Sequence, residues 1–292
     1  STTATATTSP TNTPLEPQEL PDPATIKTHE QIFADGGYQL DPGPDLSRLR
    51  ACLDSLATAT QQQSLPTLVA LVLRLDYAAI QDHTAALHSL LQAHNYLRLV
   101  VGYSPRQAGK LVPDFDHLHA FINATPHVIA IETGLDLHYA PYTQTAQIEL
   151  LQAQLNLAQQ LNKPVYLSSI KADALLAGHL PPTLTQAVFT QPLQTPEALQ
   201  LCQQRQFWVC ARPELTYPEH QTYRDLLRQM PSNKVLLCSG SELIAPSIQR
   251  GQTNTPLGLS HTAQALGQVF KMPRLEMTLG QCYKNLYQLL LG

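Results

Sequence analysis

The sequence predicts an α/β protein that folds as a single (β/α)8 TIM barrel with an extended N-terminal leader. Eight short apolar runs recur at intervals of about 20 to 36 residues, with helical patterns between them, as in parallel βαβ units. About 260 residues follow the leader, and a closed barrel needs roughly 250. An open doubly wound sheet is the alternative, but its phosphate-binding turn, GxGxxG or GxxxxGKS/T, does not occur in the sequence.

The leader, residues 1–30, differs in composition from the rest of the chain. It begins Ser-Thr-Thr-Ala-Thr-Ala-Thr-Thr and continues with several prolines. Its apolar content is too low to offset the entropy lost when a chain becomes ordered. We expect the leader to be flexible or to lie on the surface as a strap, and the barrel domain to span residues 31–292.

The predicted strands are short runs rich in aliphatic residues. The first, Gln31–Asp35, is predicted to end in a turn at Gly36-Gly37, and the fourth begins at Val128, with Glu132 at its end and Gly134 marking the turn. The other predicted strands are Leu68–Leu75, Leu97–Ser104, Val165–Ser169, Ala187–Thr190, Phe207–Ala211 and Val235–Cys238.

Helical patterns separate these strands. The first pattern, Pro44–Ala57, has leucines at helical spacing. The pattern from Gln144 to Asn162 contains no proline and stops just before Pro164. The other predicted helices are Ala78–His94, Asp114–Ala124, Lys171–Ala177, Pro196–Gln204, Glu219–Met230, Ser260–Phe270 and Leu275–Leu291.

Composition excludes several functional classes. A formal net charge of -4 gives no basic footprint for nucleic acid, so we do not expect a nucleic-acid partner. Five cysteines without a CxxC spacing indicate neither a disulfide framework nor a zinc cluster. No apolar run approaches the roughly 18 residues of a membrane span, so we expect a cytoplasmic protein with no membrane partner.

The carboxyl ends of barrel strands surround the active site, so the residues there are the candidate site. These rim residues are Asp35, Gln39, Ser104, Arg106, Glu132, Ser168, Thr190, Arg212 and Ser239. Glu132 is the one firm carboxylate, Asp35 is a second candidate, and no predicted strand ends in a histidine. A divalent-metal hydrolase site needs several convergent carboxylates or imidazoles, so we expect no bound metal and no other cofactor.

Several motifs nevertheless resemble those of a known family. Glu132-Thr133-Gly134-Leu135-Asp136 and Leu161-Asn162-Lys163-Pro164-Val165 look like the TatD family of metal-dependent deoxyribonucleases and related amidohydrolase-type barrels. Asn254-Thr255-Pro256 also stands where that family has Asn-Glu-Pro. The resemblance spans about residues 31–292, and it implies a (β/α)8 barrel with metal ligands at its rim.

The same resemblance implies that most of those ligands are replaced. Glu132 corresponds to the family's bridging glutamate. The remaining positions have lost their imidazoles and the general-base aspartate. The family's first strand has Asp-x-His-x-His, or in some members Asp-x-Gly-x-Asn, and the second form is closer to Asp35-Gly36-Gly37-Tyr38-Gln39. Gly102-Tyr103-Ser104-Pro105-Arg106 stands for Gly-x-His-Pro-His, Ser168 and Thr190 for single histidines, and Cys238-Ser239-Gly240 for Glu-Thr-Asp.

Three functions remain open, and we expect the first. The chain is a catalytically inactive binding or scaffold protein for a protein or small-molecule partner, with Glu132 a hydrogen-bonding relic. Alternatively, it is a metal-dependent hydrolase of phosphoester bonds with a site rebuilt from Glu132, Asp35 and His138, and a divalent metal is its cofactor. The third function is anion or small-molecule binding at the rim, where Arg106 and Arg212 match carboxylate and phosphate geometry.

Overall fold

The computed structural model describes residues 15–62 and 67–292, where nine parallel strands form one curled sheet. The strands are β1 Ile32–Gln39, β2 Thr67–Asp76, β3 Leu97–Gly102, β4 Val128–Asp136, β5 Val165–Ile170, β6 Ala187–Phe189, β7 Trp208–Ala211, β8 Val235–Leu237 and β9 Gly240–Ser241. From β1 to β8 each strand pairs in parallel with the next one along the chain.

The sheet closes through β9. This two-residue strand follows β8 after a break at Cys238-Ser239 and pairs with β1, Gly240 opposite Tyr38 and Ser241 opposite Gln39. β8 and β9 are therefore two pieces of the eighth barrel strand, one paired with β7 and the other with β1. The predicted (β/α)8 barrel is confirmed.

Helices cover the outer face of this sheet. They are α1 Ser47–Gln61, α2 Tyr77–Ile80, α3 Thr84–Ala93, α4 Phe115–Ala124, α5 Gln144–Gln160, α6 Asp173–His179, α7 Pro196–Arg205, α8 Gln221–Leu227, α9 Leu259–Val269 and α10 Leu275–Leu291. The helix predicted at Ala78–His94 is two helices, because the chain turns between Ile80 and Thr84. None of the helices in the described ranges combines the length and apolar character needed to cross a membrane.

Two glycine segments predicted as turns lie inside strands. β1 continues through Gly36-Gly37 with an irregular register, and β4 continues through Gly134 to Asp136. The glycines instead permit close approach of neighbouring strands: a Cβ at Gly134 would lie 2.0 Å from the Ser168 carbonyl oxygen, and one at Gly36 would lie 3.2 Å from that of Leu237. Glu132 is consequently a mid-strand residue.

The core has two apolar layers because successive strand residues point to opposite faces of the sheet. The larger layer lies between the sheet and the helices. The smaller layer takes residues from one face of most strands and adds the Tyr283 and Leu286 side chains of α10. It includes Ala34, Ala70, Val100, Ala130, Val188, Cys210 and Leu236. This inner layer fills the barrel beneath the candidate site.

The described part of the leader contacts the barrel at several points. The Gln18 N–H donates to the Asn95 carbonyl oxygen at 2.8 Å, and the Arg98 guanidinium donates to the Gln18 carbonyl oxygen. The Tyr283 hydroxyl donates to the Pro21 carbonyl oxygen. These contacts join Gln18 and Pro21 to the barrel, whereas residues 1–14 of the predicted leader lie outside the described ranges.

Candidate functional site

An ion pair between Arg74 of β2 and Glu132 of β4 lies at the centre of the candidate site. Arg74 Nε is 3.1 Å from Glu132 Oε1 and 3.3 Å from Oε2, and Arg74 Nη2 also donates to Oε1. The Arg74 side chain is 2% exposed and that of Glu132 is 16% exposed. Two guanidinium nitrogens thus engage one carboxylate, an arrangement in which charge-assisted hydrogen bonds are strong.

Small neighbours make room for this pair. A Cβ at Gly37 would lie 3.2 Å from Arg74 Cδ, and a Cβ at Gly102 would lie 2.0 Å from the Glu132 carbonyl oxygen. Burial disfavours charge on Arg74, but attraction and hydrogen bonding by Glu132 act together with smaller contributions from Cys210 and Cys238 to raise the pKa of Arg74. Arg74 therefore carries a fixed positive charge against the glutamate that sequence analysis identified.

Asp35 lies at the seam where the barrel closes. Its Oδ1 accepts hydrogen bonds from the Gly37 N–H at 3.1 Å and the Ser239 N–H at 3.0 Å. Its Oδ2 is buried and has no hydrogen-bond partner within the described ranges. Burial raises the pKa of Asp35 to about 6, and the hydrogen bonds from Ser239 and Gly37 oppose that rise.

Arg212 forms a second buried ion pair at the rim. Its Nη2 is 3.0 Å from Glu214 Oε1, its Nε is 3.2 Å from Oε2, and its Nη1 donates to the Thr190 carbonyl oxygen at 3.0 Å. A Cβ at Gly240 would lie 3.0 Å from Arg212 Nε, so the guanidinium lies directly against β9. The charge on Arg212 is consequently neutralised by a residue two positions away.

Arg106 has its own carboxylate partner as well. Its Nε donates to Asp136 Oδ2 at 2.7 Å, and its guanidinium carbon lies 4.1 Å from the centre of the Tyr139 ring. Asp136 also accepts hydrogen bonds from the backbone N–H groups of His138 and Tyr139. An anion at the rim would have to compete with Asp136 for Arg106 and with Glu214 for Arg212.

The hydroxyl residues of the predicted site make local structural contacts. The Ser104 hydroxyl accepts a hydrogen bond from the Arg106 N–H, and the Thr190 hydroxyl donates to the Leu167 carbonyl oxygen at 3.0 Å. Ser168 is buried opposite Gly134 in the β4–β5 ladder, and Gln39 is exposed at the end of β1. In the part of the chain that the structure describes, no three side chains of His, Cys, Asp or Glu are placed to hold a metal ion.

Sequence analysis found Glu132 but missed Arg74. The signal was present, since β2 reads Leu-Val-Ala-Leu-Val-Leu-Arg-Leu and a charged side chain inside a buried aliphatic strand has to be paired. It also missed Asp136 and Glu214, the partners of the two rim arginines. Glu214 could have been proposed from the sequence as the partner of Arg212, because the two residues are only two positions apart.

A cleft of about 340 Å³ opens at the rim between the segments that follow β5 and β6. Ser169, Lys171, Asp173, Gln191, Thr195 and Glu197 are among the residues lining it. Asp173 organises one wall, because its carboxylate accepts hydrogen bonds from the Ser169 hydroxyl at 2.5 Å and the Thr195 hydroxyl at 2.6 Å. The cleft thus presents amide, hydroxyl and charged groups to solvent.

Comparison with known proteins identifies the ancestry of the barrel. The sequence profile described as TatD related DNase matches residues 47–290. An uncharacterized metal-dependent hydrolase of Bacillus subtilis, YabD, is 20% identical over 190 residues, or 63% of this chain and 73% of that protein. A second uncharacterized metal-dependent hydrolase, YcfH of Escherichia coli K12, is 28% identical over 144 residues, or 47% of this chain and only 53% of that protein.

Solved structures agree with this assignment at the level of the fold. YjjV, a TatD homologue from Escherichia coli K12, superposes with a TM-score of 0.74 at 22% identity, covering 89% of this chain and 98% of that one. A lactonase template engineered for organophosphate hydrolysis superposes with a TM-score of 0.52 at 10% identity, covering 91% and 97%. These likenesses confirm the barrel, and the sequence profile confirms the resemblance that the motifs indicated.

Proposed function

Because the chain belongs to the TatD family, we propose that it is a TatD barrel without metal catalysis, acting as a binding or scaffold protein. The Arg74–Glu132 ion pair carries this proposal. Glu132 corresponds by resemblance to the family's bridging glutamate, and here both of its carboxylate oxygens already accept hydrogen bonds from a guanidinium. The Glu132 carboxylate, which would bind metal, is instead paired with the guanidinium of Arg74.

Electrostatics opposes a metal ion at this position. A divalent ion about 4 Å from the Arg74 charge would be repelled by roughly 8 kcal/mol at an effective dielectric constant of about 20. Displacing Arg74 would leave its buried guanidinium unpaired, and breaking such a pair costs about 3–5 kcal/mol. The neighbouring Ser168 and Thr190 offer hydroxyls where an imidazole would be needed. The donor set does not fit a divalent metal, so we propose no metal cofactor.

The binding role rests on the rim. The cleft after β5 and β6 has the volume of a small-molecule site, and polar side chains make up much of its lining. Arg106 and Arg212, which a nucleic-acid backbone would need, are each neutralised by a carboxylate. A small polar molecule or a protein surface is therefore the partner class that we propose.

One observation favours a second candidate, a metal-dependent phosphoester hydrolase with a rebuilt site. Asp35 has a buried carboxylate oxygen without a partner, and the B. subtilis and E. coli relatives are described as metal-dependent hydrolases. This candidate requires Arg74 to leave Glu132 so that Glu132 and Asp35 become available together.

Metal analysis and a DNA-cleavage assay distinguish the inactive barrel from the metal-dependent phosphoester hydrolase. Protein incubated with manganese, zinc or magnesium and then desalted should retain far less than one equivalent of metal and should cleave DNA no faster than a buffer control. One equivalent of metal in the wild type, lost in Glu132→Gln and kept in Glu149→Gln, would reject the inactive-barrel proposal. Glu149 is a suitable control because it is exposed on α5.

A further inference from the structure

Four polar side chains in the cleft after β5 and β6 have no partner among the described residues. They are Lys171, Gln191, Gln194 and Glu197. Within residues 15–62 and 67–292, none of these side chains forms a hydrogen bond or an ion pair. The cleft volume of about 340 Å³ lies at the lower end of the range for small-molecule sites. The donors and acceptors of the four side chains are therefore available to a small ligand.

The two free charges of the cleft have opposite signs. Lys171 contributes an ammonium group from the segment between β5 and α6, and Glu197 contributes a carboxylate from the first turn of α7. The two groups do not pair with each other, so a gap separates them across the cleft. Lys171 has a φ of 55°, a left-handed conformation that costs a non-glycine residue free energy. The fold thus holds this lysine at the cleft despite backbone strain.

A third charged group limits the ligands that the cleft can accept. Asp173, which accepts hydrogen bonds from two hydroxyls of the cleft, and Glu197 together set two carboxylates against the one ammonium of Lys171. A phosphate or a dicarboxylate would be repelled by both carboxylates. A simple amine would place a second positive charge near Lys171 and leave it unpaired. A ligand with one ammonium and one carboxylate is complementary to both signs of charge.

We propose that this cleft binds a small zwitterion of the α-amino acid class. The ligand carboxylate accepts a hydrogen bond from Lys171 and the ligand ammonium donates to Glu197, and such charge-assisted bonds are roughly twice as strong as neutral ones. The carboxamides of Gln191 and Gln194 both donate and accept, so they suit a polar ligand side chain. This ligand class rests on the binding role proposed above for the cleft, and it is independent of whether Glu132 holds a metal.

Calorimetric titration with matched probes tests the ligand class. The twenty standard L-amino acids are screened, and the tightest binder is compared with its analogue lacking the ammonium and its analogue lacking the carboxylate. For L-glutamine these analogues are glutaramate and 4-aminobutanamide. Each analogue should bind at least about tenfold more weakly than the amino acid. If none of the twenty binds, or if either analogue binds as tightly as the amino acid, the zwitterion site is refuted.

Two variants with matched controls locate the binding. Lys171→Met and Glu197→Gln should each weaken the tightest amino acid at least about tenfold. Lys271→Met is the control for the lysine, because Lys271 is also exposed and also has a φ of 55°. Glu276→Gln is the control for the glutamate, because each glutamate is the second residue of its helix. Both controls should bind like the wild type, and equal affinities in all four variants would overturn the assignment to this cleft.

The metal assay and the titration reject different claims. Metal retained at Glu132 in a protein that still binds an amino acid through Lys171 and Glu197 would reject the inactive barrel and support the zwitterion site. A metal-free protein that binds no amino acid would reject the zwitterion site and leave the inactive barrel standing.

Discussion

Replacing Arg74 with methionine should destabilise the barrel by about 3–5 kcal/mol, the usual cost of removing one partner of a buried ion pair. Methionine has a similar unbranched length, so the inner packing is kept while the charge is lost. Glu132 would then lie inside the barrel without its cation, with an exposed side-chain fraction of only 16%. The cost should therefore come from the unpaired carboxylate rather than from a cavity.

A double-mutant cycle isolates this effect. Urea unfolding would be measured for the wild type, Arg74→Met, Glu132→Gln and the double variant. Each single change leaves a buried group unpaired, whereas the double change removes both charges. We expect the double variant to be at least about 2 kcal/mol more stable than the sum of the single effects predicts.

The outcome that refutes this reasoning is additivity. If the two single effects sum to the double effect within about 0.5 kcal/mol, the side chains do not interact in solution. Arg74 would then not hold Glu132, and the main argument against a metal at that residue would fail. A matched cycle on the exposed pair Arg228 and Asp225 should show coupling below about 1 kcal/mol.

Three further predictions concern the seam, the strand contacts and the leader. Gly102→Ala should lower the free energy of unfolding in urea by several kcal/mol, because the added Cβ would lie 2.0 Å from a β4 carbonyl oxygen. The control Gly178→Ala, whose Cβ would have no atom within 4 Å, should be neutral or slightly stabilising. Equal effects of the two changes would contradict the close approach of the strands. The raised pKa of Asp35 means that the folded state binds a proton more tightly than the unfolded state. The wild type should thus lose roughly 3 kcal/mol relative to Asp35→Asn as pH rises from about 4 to about 6. A pH-independent difference would show that this carboxyl group is not perturbed. Tyr283→Phe removes the hydroxyl that donates to the Pro21 carbonyl oxygen, so the free energy of unfolding should fall by about 1 kcal/mol. Limited proteolysis within residues 15–30 should also become faster. An unchanged cleavage rate would show that this bond does not hold the leader.

The barrel could be predicted from the sequence because hydrophobic periodicity records it directly. The apolar runs at Leu97 and Val165 are buried on both faces of the sheet, and the helical patterns between the runs cover the outer face. The two-piece eighth strand could not be predicted. At the break, the Ser239 N–H donates to the carboxylate of Asp35, which lies 204 residues earlier in the chain.

The candidate site was predicted only in part. Glu132 could be found because the motif around it is local in sequence. Arg74 could not be assigned to it, because the two residues are 58 positions apart and only the closed barrel brings their inner-face side chains together. The glycines at 36, 37 and 134 were interpreted as turns, since a short sequence window does not reveal that a neighbouring strand approaches them closely.

The state of the Glu132 carboxylate in the presence of metal tests the central claim most directly. Crystals of the wild-type protein grown with an excess of manganese would be examined by anomalous diffraction. We predict no anomalous peak at Glu132 and a guanidinium of Arg74 still bonded to both carboxylate oxygens. A manganese peak within ligand distance of those oxygens, with Arg74 displaced, would contradict the account.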